Sequence, residues 1–344
     1  MGINGLNKFL MTCSQGGISE QNLAKYKEHT FAIDTSIFLY KFMYSGKFID
    51  SFIQQIKKLR KFSITPIYIF DGAPPKEKQD TIEDRKIARE KILNKIESIT
   101  EQLSDINITE EDKKKLEKDK NIVEKRLITI TRQDVINLKR TFDILGVKYI
   151  QANCEADLIC CHLYKSGRVH GCISNDMDFL PSGCGLLLRN YNNSNIISEY
   201  NLKKILESLQ ISYDQFVDFC ILCGCDYTIK IPKMGPKTSY NYIKKHNTIE
   251  EIIQNYCGEG KKFELPNDFD YKMARAMIKN GNTNNITVNL DNLVIKNRNF
   301  NFNKEKILSS DFSDLQEDID FLKNVAKIST KQTENRIRTL FLSY

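Results

Sequence analysis

The chain has 344 residues, 41% of them hydrophobic, enough to bury the core of one large α/β domain or two ordinary ones. A net charge of +7 favours a polyanionic partner without identifying it. No stretch approaches the roughly 18 apolar residues of a membrane span, no basic-then-apolar signal pattern opens the chain, and its ten Cys are expected as reduced thiols inside a cell.

In chain order, residues 8–12 read as a short amphipathic helix, 30–33 as a strand, 51–62 as a helix and 66–70 as a strand. Residues 76–130 are dense in Lys, Glu, Asp and Arg and contain neither Gly nor Pro. Ile82, Ile87, Ile92, Leu93 and Ile96 fall at helical spacing, and a second helix runs from Glu110, capped by Thr109, to about Leu127. By sequence alone this interval is a solvated helical hairpin or a coiled coil. A helix over 134–145, ended by Gly146, leads into a strand at 148–151, a helix at 155–165 and strands at 171–174, 186–191 and 195–198. That alternation predicts an α/β fold with a mostly parallel central sheet flanked by helices. Residues 201–258 read as helices interrupted by Ile231-Pro232-Lys233-Met234-Gly235-Pro236-Lys237. Residues 279–304 are an Asn-rich surface excursion, and helices are expected at 315–326 and 332–341. There is no internal repeat.

Seven carboxylates in five clusters sit where a predicted strand ends or a predicted helix begins: Asp34, Asp71, Glu155 with Asp157, Asp176 with Asp178, and Asp226. Any one of them alone could be a helix cap or turn residue. Ligands of open α/β sheets bind at the carboxyl ends of the strands, so acids from several strands would converge there. They could not all stay ionised together without cations. Hard divalent metals with oxygen ligands resolve the conflict, Mg²⁺ being usual with phosphate esters, which points to a two-metal phosphodiesterase. Cys220-x-x-Cys223-x-Cys225 and Cys160-Cys161-His162 lie in apolar helices and read as core packing rather than a zinc site. None of the four His, at 29, 162, 170 and 246, reads as a general base.

Met1-Gly2-Ile3-Asn4-Gly5-Leu6, Ala32-Ile33-Asp34-Thr35-Ser36, Phe70-Asp71-Gly72-Ala73-Pro74-Pro75, Glu155-Ala156-Asp157, Asp176-Met177-Asp178-Phe179-Leu180 and Gly224-Cys225-Asp226-Tyr227 occur in this order along the chain. Together they resemble the flap endonuclease family, part of the 5′-nuclease (PIN-like) superfamily with exonuclease I and the xeroderma-G nuclease, over residues 1 to about 338. The resemblance implies a 5′-flap endonuclease with 5′-exonuclease activity that leaves 5′-phosphate products and acts in replication and repair. It implies one nuclease domain over 1–344, with an N-terminal region at 1–92, a helical arch at 76–130, an internal region at 131–258 and C-terminal helices at 305–344 that pack back on the core. It assigns Asp34, Asp71, Glu155 and Asp157 to one Mg²⁺ and Asp176, Asp178 and Asp226 to a second, Mn²⁺ being able to substitute. Lys78 and Arg85, seven apart on one helix face, would reach the scissile phosphate; the alternative is an exposed basic stripe. Lys86 and Arg89 would steer the strand. Tyr40 would stack on a base; the alternative is a core tyrosine beside Phe38 and Phe42. Gly2 would be a further DNA contact. A helix–two-turn–helix near 220–246 would grip duplex DNA through Lys230, Lys233, Gly235, Lys237, Lys244 and Lys245 and hold a K⁺, against the alternative of a solvated face.

The chain departs from that family at three places. The earlier glycine of the helix–two-turn–helix is Lys233, which bears on the K⁺ site. The segment at 44–50 is short, which leaves the preference for a one-nucleotide 3′ flap open. No clamp-binding motif or basic tail precedes Tyr344, so sliding-clamp binding is not expected and the chain reads as a compact version, viral or otherwise reduced. It is expected to be a monomer, intracellular, in a nucleus or a viral replication compartment. The rival readings are an exonuclease-I-like or junction- or bubble-cleaving member of the superfamily, a catalytically silent DNA-binding scaffold, and a hydrolase of small phosphate esters. Asp71-Gly72-Ala73-Pro74-Pro75 and Tyr40 favour the flap type.

Overall fold

The computed structural model describes residues 2–73, 79–104, 109–124, 127–192, 194–280 and 316–327. Its sheet holds seven strands: β1 (Ile18–Asn22), β2 (Thr30–Asp34), β3 (Thr65–Phe70), β4 (Lys148–Gln151), β5 (Gly171–Ile173), β6 (Leu186–Arg189) and β7 (Ile196–Asn201). Their spatial order is β1-β7-β6-β5-β2-β3-β4. The run from β6 to β4 is parallel, and β7 and β1 are antiparallel additions at one edge. The chain leaves β2 towards β3 and β4, then returns to β5 on the other side of β2. This reversal makes β2 the switch point of the sheet, where ligands of α/β folds bind.

Side chains alternate across the sheet and so feed two cores. Ala32, Ile67 and Ile69 join one cluster, with Leu6 and Phe9 of α1 (Leu6–Cys13), Ile159 of α7 (Ala156–Lys165) and residues of α8 (Leu202–Leu209), α9 (Tyr213–Cys223), α10 (Pro236–His246), α11 (Ile249–Tyr256) and α12 (Tyr271–Asn280). Phe31, Ile33, Tyr68 and Phe70 join the other, with Phe38 of α2 (Thr35–Tyr44), Phe52 of α3 (Phe48–Lys61), Phe142 of α6 (Arg132–Ile144) and Ile319 of α13 (Gln316–Ala326). The buried Cys residues, 160, 161, 172, 220 and 223 among them, belong to the first cluster, as free thiols. Between β3 and α6 the charged interval forms α4 (Gln79–Leu103) and α5 (Glu110–Glu124), which pack on each other through buried Ile99 and Val123. Thr109 caps α5 through Asp112 N at 3.1 Å.

α12 was not foreseen, β7 runs on to Asn201, and three further elements differ from the sequence expectation. β1 was not foreseen: Ile18-Ser19-Glu20-Gln21-Asn22 has no apolar alternation because it is a largely exposed edge strand paired only with β7. β6 stops at Arg189 because Asn190 turns into the left-handed region, φ 59°. α3 begins at Phe48, before Ser51, so only Ser45, Gly46 and Lys47 link α2 to α3. Of the expected excursion at 279–304, Lys279 and Asn280 close α12, and its remainder and the expected helix at 332–341 lie outside the described residues.

α9, α11 and α12 are tied by one buried acid. Asp218 accepts Arg275 Nε at 2.7 Å and Nη2 at 2.8 Å, and Ile249 N at 3.3 Å. Asp218→Ala should lower unfolding stability by about 2–3 kcal/mol, because it leaves the half-buried Arg275 with Glu250 alone. A urea midpoint unchanged from wild type would contradict this.

Candidate active site

Strands β5, β2, β3 and β4 are successive parallel neighbours, so their carboxyl ends lie side by side. β2 ends at Asp34, whose Oδ1 accepts Ser36 N at 3.0 Å and so caps α2. Its Oδ2 accepts the Ser174 hydroxyl at 3.2 Å. Asp71 follows β3; its Oδ1 accepts Ala156 N at 2.7 Å, and the Ser36 hydroxyl donates to its Oδ2. Glu155 is the N-cap residue of α7, and Asp157 lies in its first turn. After β5 the chain makes a tight loop: Ser174 Oγ accepts Asp176 N, and Asp176 Oδ1 accepts Asp178 N, both at 3.1 Å. Asp226 follows α9, beside buried Tyr227, whose hydroxyl lies 3.5 Å from Glu155 Oε2. Asp34 and Asp178 are buried, Glu155, Asp157, Asp176 and Asp226 half-buried, and Asp71 exposed, so the cluster opens on one side.

The charges act on one another. Burial, then the fields of Asp71 and Asp157, push the Asp34 carboxyl up to about 8, against the opposing hydrogen bonds from Ser174 and Ser36. Burial and then Asp157, Glu155, Asp178 and Asp226 raise the Tyr227 hydroxyl. Burial and then Asp157, Glu155 and Asp71 push the Cys154 thiol up to about 11. Six of the seven acids thus share one field, and Asp176 joins them through Asp178. Among the described residues no three such side chains already close on one point in ligand geometry. The fit to a cation lies in the donor set, which is all carboxylate oxygen, and in the crowding of like charge that raises Asp34.

The N-terminal turn is wedged against these acids. Gly2 has φ +81°, and a Cβ there would lie 2.1 Å from Asp176 Oδ1 and 2.6 Å from Asp178 Oδ1. Asn4 N donates to Gly224 O at 3.1 Å, and a Cβ on Gly5 would sit 3.0 Å from Pro236 Cγ. The turn therefore spans from the acid loop to the α9–α10 connection.

Tyr40 is 57% exposed whereas Phe38 is 2% exposed, so Tyr40 is not a core residue. Lys78 lies outside the described residues, as does the side chain of Arg85, whose backbone is in α4. Lys86 pairs with Glu83 at 3.7 Å on the exposed face of α4. Arg89 Nη2 donates to Thr129 Oγ1 at 2.8 Å, which ties α4 to the chain leading into α6. Lys230, Lys233, Lys237 and Lys245 are exposed, and Lys244 Nζ donates to Gln210 Oε1 at 3.0 Å. Lys233 holds the left-handed backbone, φ 62°, that a glycine would adopt. Gly235 precedes α10 without a side-chain cap, leaving its first-turn N–H groups uncapped by side chains. Ser36, Ser174 and Tyr227 were missed at the sequence level. Their signal was adjacency, since each lies within two residues of a cluster acid.

The family patterns of the XPG N-terminal domain and the XPG I-region match residues 1–92 and 146–226. Flap endonuclease 1 of Osmerus mordax is 33% identical over 300 residues, covering 80% of this chain and 74% of that protein. The Aedes aegypti flap endonuclease 1 is 31% identical over 299 residues, 81% of this chain and 75% of its own. Among solved structures, the catalytic core of Rad2 in complex with a DNA substrate aligns over 98% of this chain and 100% of its own, with TM-score 0.71 and 19% identity. Human GEN1 in complex with Holliday junction DNA aligns over 100% of this chain and 78% of its own, at TM-score 0.60 and 16% identity.

A raised acid pKa means that the folded state binds the extra proton. Between the ordinary value of 3.8 and about 8, cation-free protein should therefore lose stability as pH rises. Asp34→Asn should flatten that slope in urea unfolding with EDTA. An identical slope in wild type and variant would exclude charge crowding at Asp34.

Proposed function

The chain belongs to the flap endonuclease family, and from that premise we propose that it cuts branched DNA at the base of a 5′ single-stranded flap and trims 5′ ends as an exonuclease. It is a structure-specific DNA nuclease, a hydrolase of the replication and repair type. The observation that carries the finer reading is the gathering of acids at four neighbouring strand ends, with the Gly2 turn seated against Asp176 and Asp178. Two Mg²⁺ ions, replaceable by Mn²⁺, would supply charge to the entering and leaving oxygens of an in-line displacement at phosphorus.

The chain's own residues divide the remaining work. Asp34, Asp71, Glu155 and Asp157 would hold one ion, and Asp176, Asp178 and Asp226 the other. Gly2, lacking a side chain, lets the N-terminal backbone lie against the acids, where the phosphate enters. Lys78 and Arg85 offer positive charge to the phosphoryl oxygens as negative charge builds. Exposed Tyr40 stacks on a base beside the scissile bond. Duplex phosphates rest on the α10 N-terminus and on Lys230, Lys233, Lys237, Lys244 and Lys245, with Lys86 and Arg89 steering the single strand. Lys233 takes the left-handed backbone of the family's glycine, so the helix–two-turn–helix could still hold a K⁺. The 3′ oxygen leaves, so the product carries a 5′-phosphate. In this reading the protein acts as a monomer where DNA is replicated, in a nucleus or a viral compartment.

Lys78→Ala and Arg85→Ala should each slow single-turnover cleavage roughly 10²-fold, the scale of losing one transition-state donor. Flap affinity, spread over many phosphates, should barely change. Equal losses of rate and affinity would make them DNA-holding residues instead.

If α4 and α5 form an arch that admits only a single strand, a free 5′ end is required. A bulky protein adduct on the 5′ end, added before the enzyme, should stop cleavage. Added after the complex forms, it should leave cleavage intact. Rapid cutting of a closed bubble would refute threading and move the chain to the junction- or bubble-cutting branch.

A further inference from the structure

Arg189, the last residue of β6, is 9% exposed, and among the described residues no carboxylate pairs with it. Its partners are neutral. Nη1 donates to Asn7 Oδ1 at 2.6 Å and to the Tyr200 hydroxyl oxygen at 3.2 Å, and Nη2 donates to Asn175 O at 2.8 Å. The guanidinium lies 5.1 Å from the centre of the Tyr200 ring, and the Tyr200 hydroxyl itself donates to Asn7 Oδ1 at 2.7 Å. Among the described residues Nε meets no acceptor. A buried cation held only by neutral groups is costly, and a well-packed apolar side chain would stabilise the fold at least as well.

What an apolar residue could not do is join three separate segments. Asn7 lies in α1, immediately after the Gly2–Gly5 turn. Asn175 precedes Asp176, and a second bond holds it too, since its Oδ1 accepts Asn190 N at 2.9 Å. Tyr200 lies in β7. The planar fork therefore locks the N-terminal turn and the Asp176–Asp178 loop to the same strand, in the close approach that leaves no room for a Cβ on Gly2.

We propose that Arg189 is a positioning residue for the second cation: it fixes the Asp176–Asp178 loop and the Gly2 turn in the relative register that cation binding requires, without touching cation or DNA. The proposal rests on the metal reading of the seven acids. Groups that orient ligand carboxylates typically change metal affinity about 10–100-fold when removed.

The test uses the full chain with Arg189→Lys, Arg189→Met and Asn7→Ala. Mn²⁺ binding is measured by calorimetry beside urea unfolding, and single-turnover flap cleavage is titrated with Mg²⁺. Arg189→Lys keeps the charge and loses the fork, so both Arg189 variants should bind Mn²⁺ about 10–100-fold more weakly. Raised Mg²⁺ should restore most of the rate. Asn7→Ala, which removes only the link to α1, should shift affinity in the same direction by less. Folded Arg189→Lys or Arg189→Met with wild-type Mn²⁺ affinity overturns the proposal, because a purely structural role would move the unfolding midpoint alone. If neither Arg189 variant folds, unchanged affinity in Asn7→Ala overturns it. Wild-type protein that binds no Mn²⁺ overturns the metal reading itself.

Discussion

Like-charge repulsion at the ends of four neighbouring parallel strands is the constraint around which the molecule is arranged. β5, β2, β3 and β4 deliver Asp176, Asp178, Asp34, Asp71, Glu155 and Asp157 to one edge of the sheet, and α9 adds Asp226. The crowding pushes the Asp34 carboxyl up, and hydrogen bonds tie Asp34 to Ser36 N and Ser174 and Asp71 to the Ala156 amide. Such a group is poor for stability and useful only when something positive enters. The seven acids are therefore a site held together by the rest of the fold rather than a support for it.

That rest is the two cores. Alternation along β2 and β3 lets helices cover both faces of the sheet, so the strand ends are fixed from either side. The edges are finished differently. β1 and β7 close one side as an antiparallel addition, and β4 ends the other. The N-terminal turn joins the acid edge to the α9–α10 connection through Asn4 and Gly5. The acid loop and the start of α10 are in this way linked through the N-terminal turn.

Much of this was legible in the sequence because it is written in local pattern. An acid directly after an apolar run marks a strand end, and Asp34 and Asp71 obey that rule, while Glu155 and Asp176 follow β4 and β5 within four residues. β1 was illegible because an exposed edge strand needs no apolar alternation. The seat of Gly2 against Asp176 was illegible too, since it depends on a contact between residues 174 positions apart in the chain. Ser36 and Ser174 look like ordinary turn residues until the strands bring them onto Asp71 and Asp34. Lys233 looked like a broken motif, yet its backbone takes the left-handed turn; a lysine can hold that conformation where the loop on either side fixes it. The helices α4 and α5 were readable from spacing and capping, whereas the reading of them as an arch rests on kinship alone.

The central claim is that the acids form a site for two divalent ions, and anomalous diffraction from crystals of the full chain grown with Mn²⁺ tests it most directly. The account predicts two peaks roughly 4 Å apart, one beside Asp34, Asp71, Glu155 and Asp157 and one beside Asp176, Asp178 and Asp226. Saturating Mn²⁺ with no peak at these strand ends, or with ions bound only elsewhere, would contradict it.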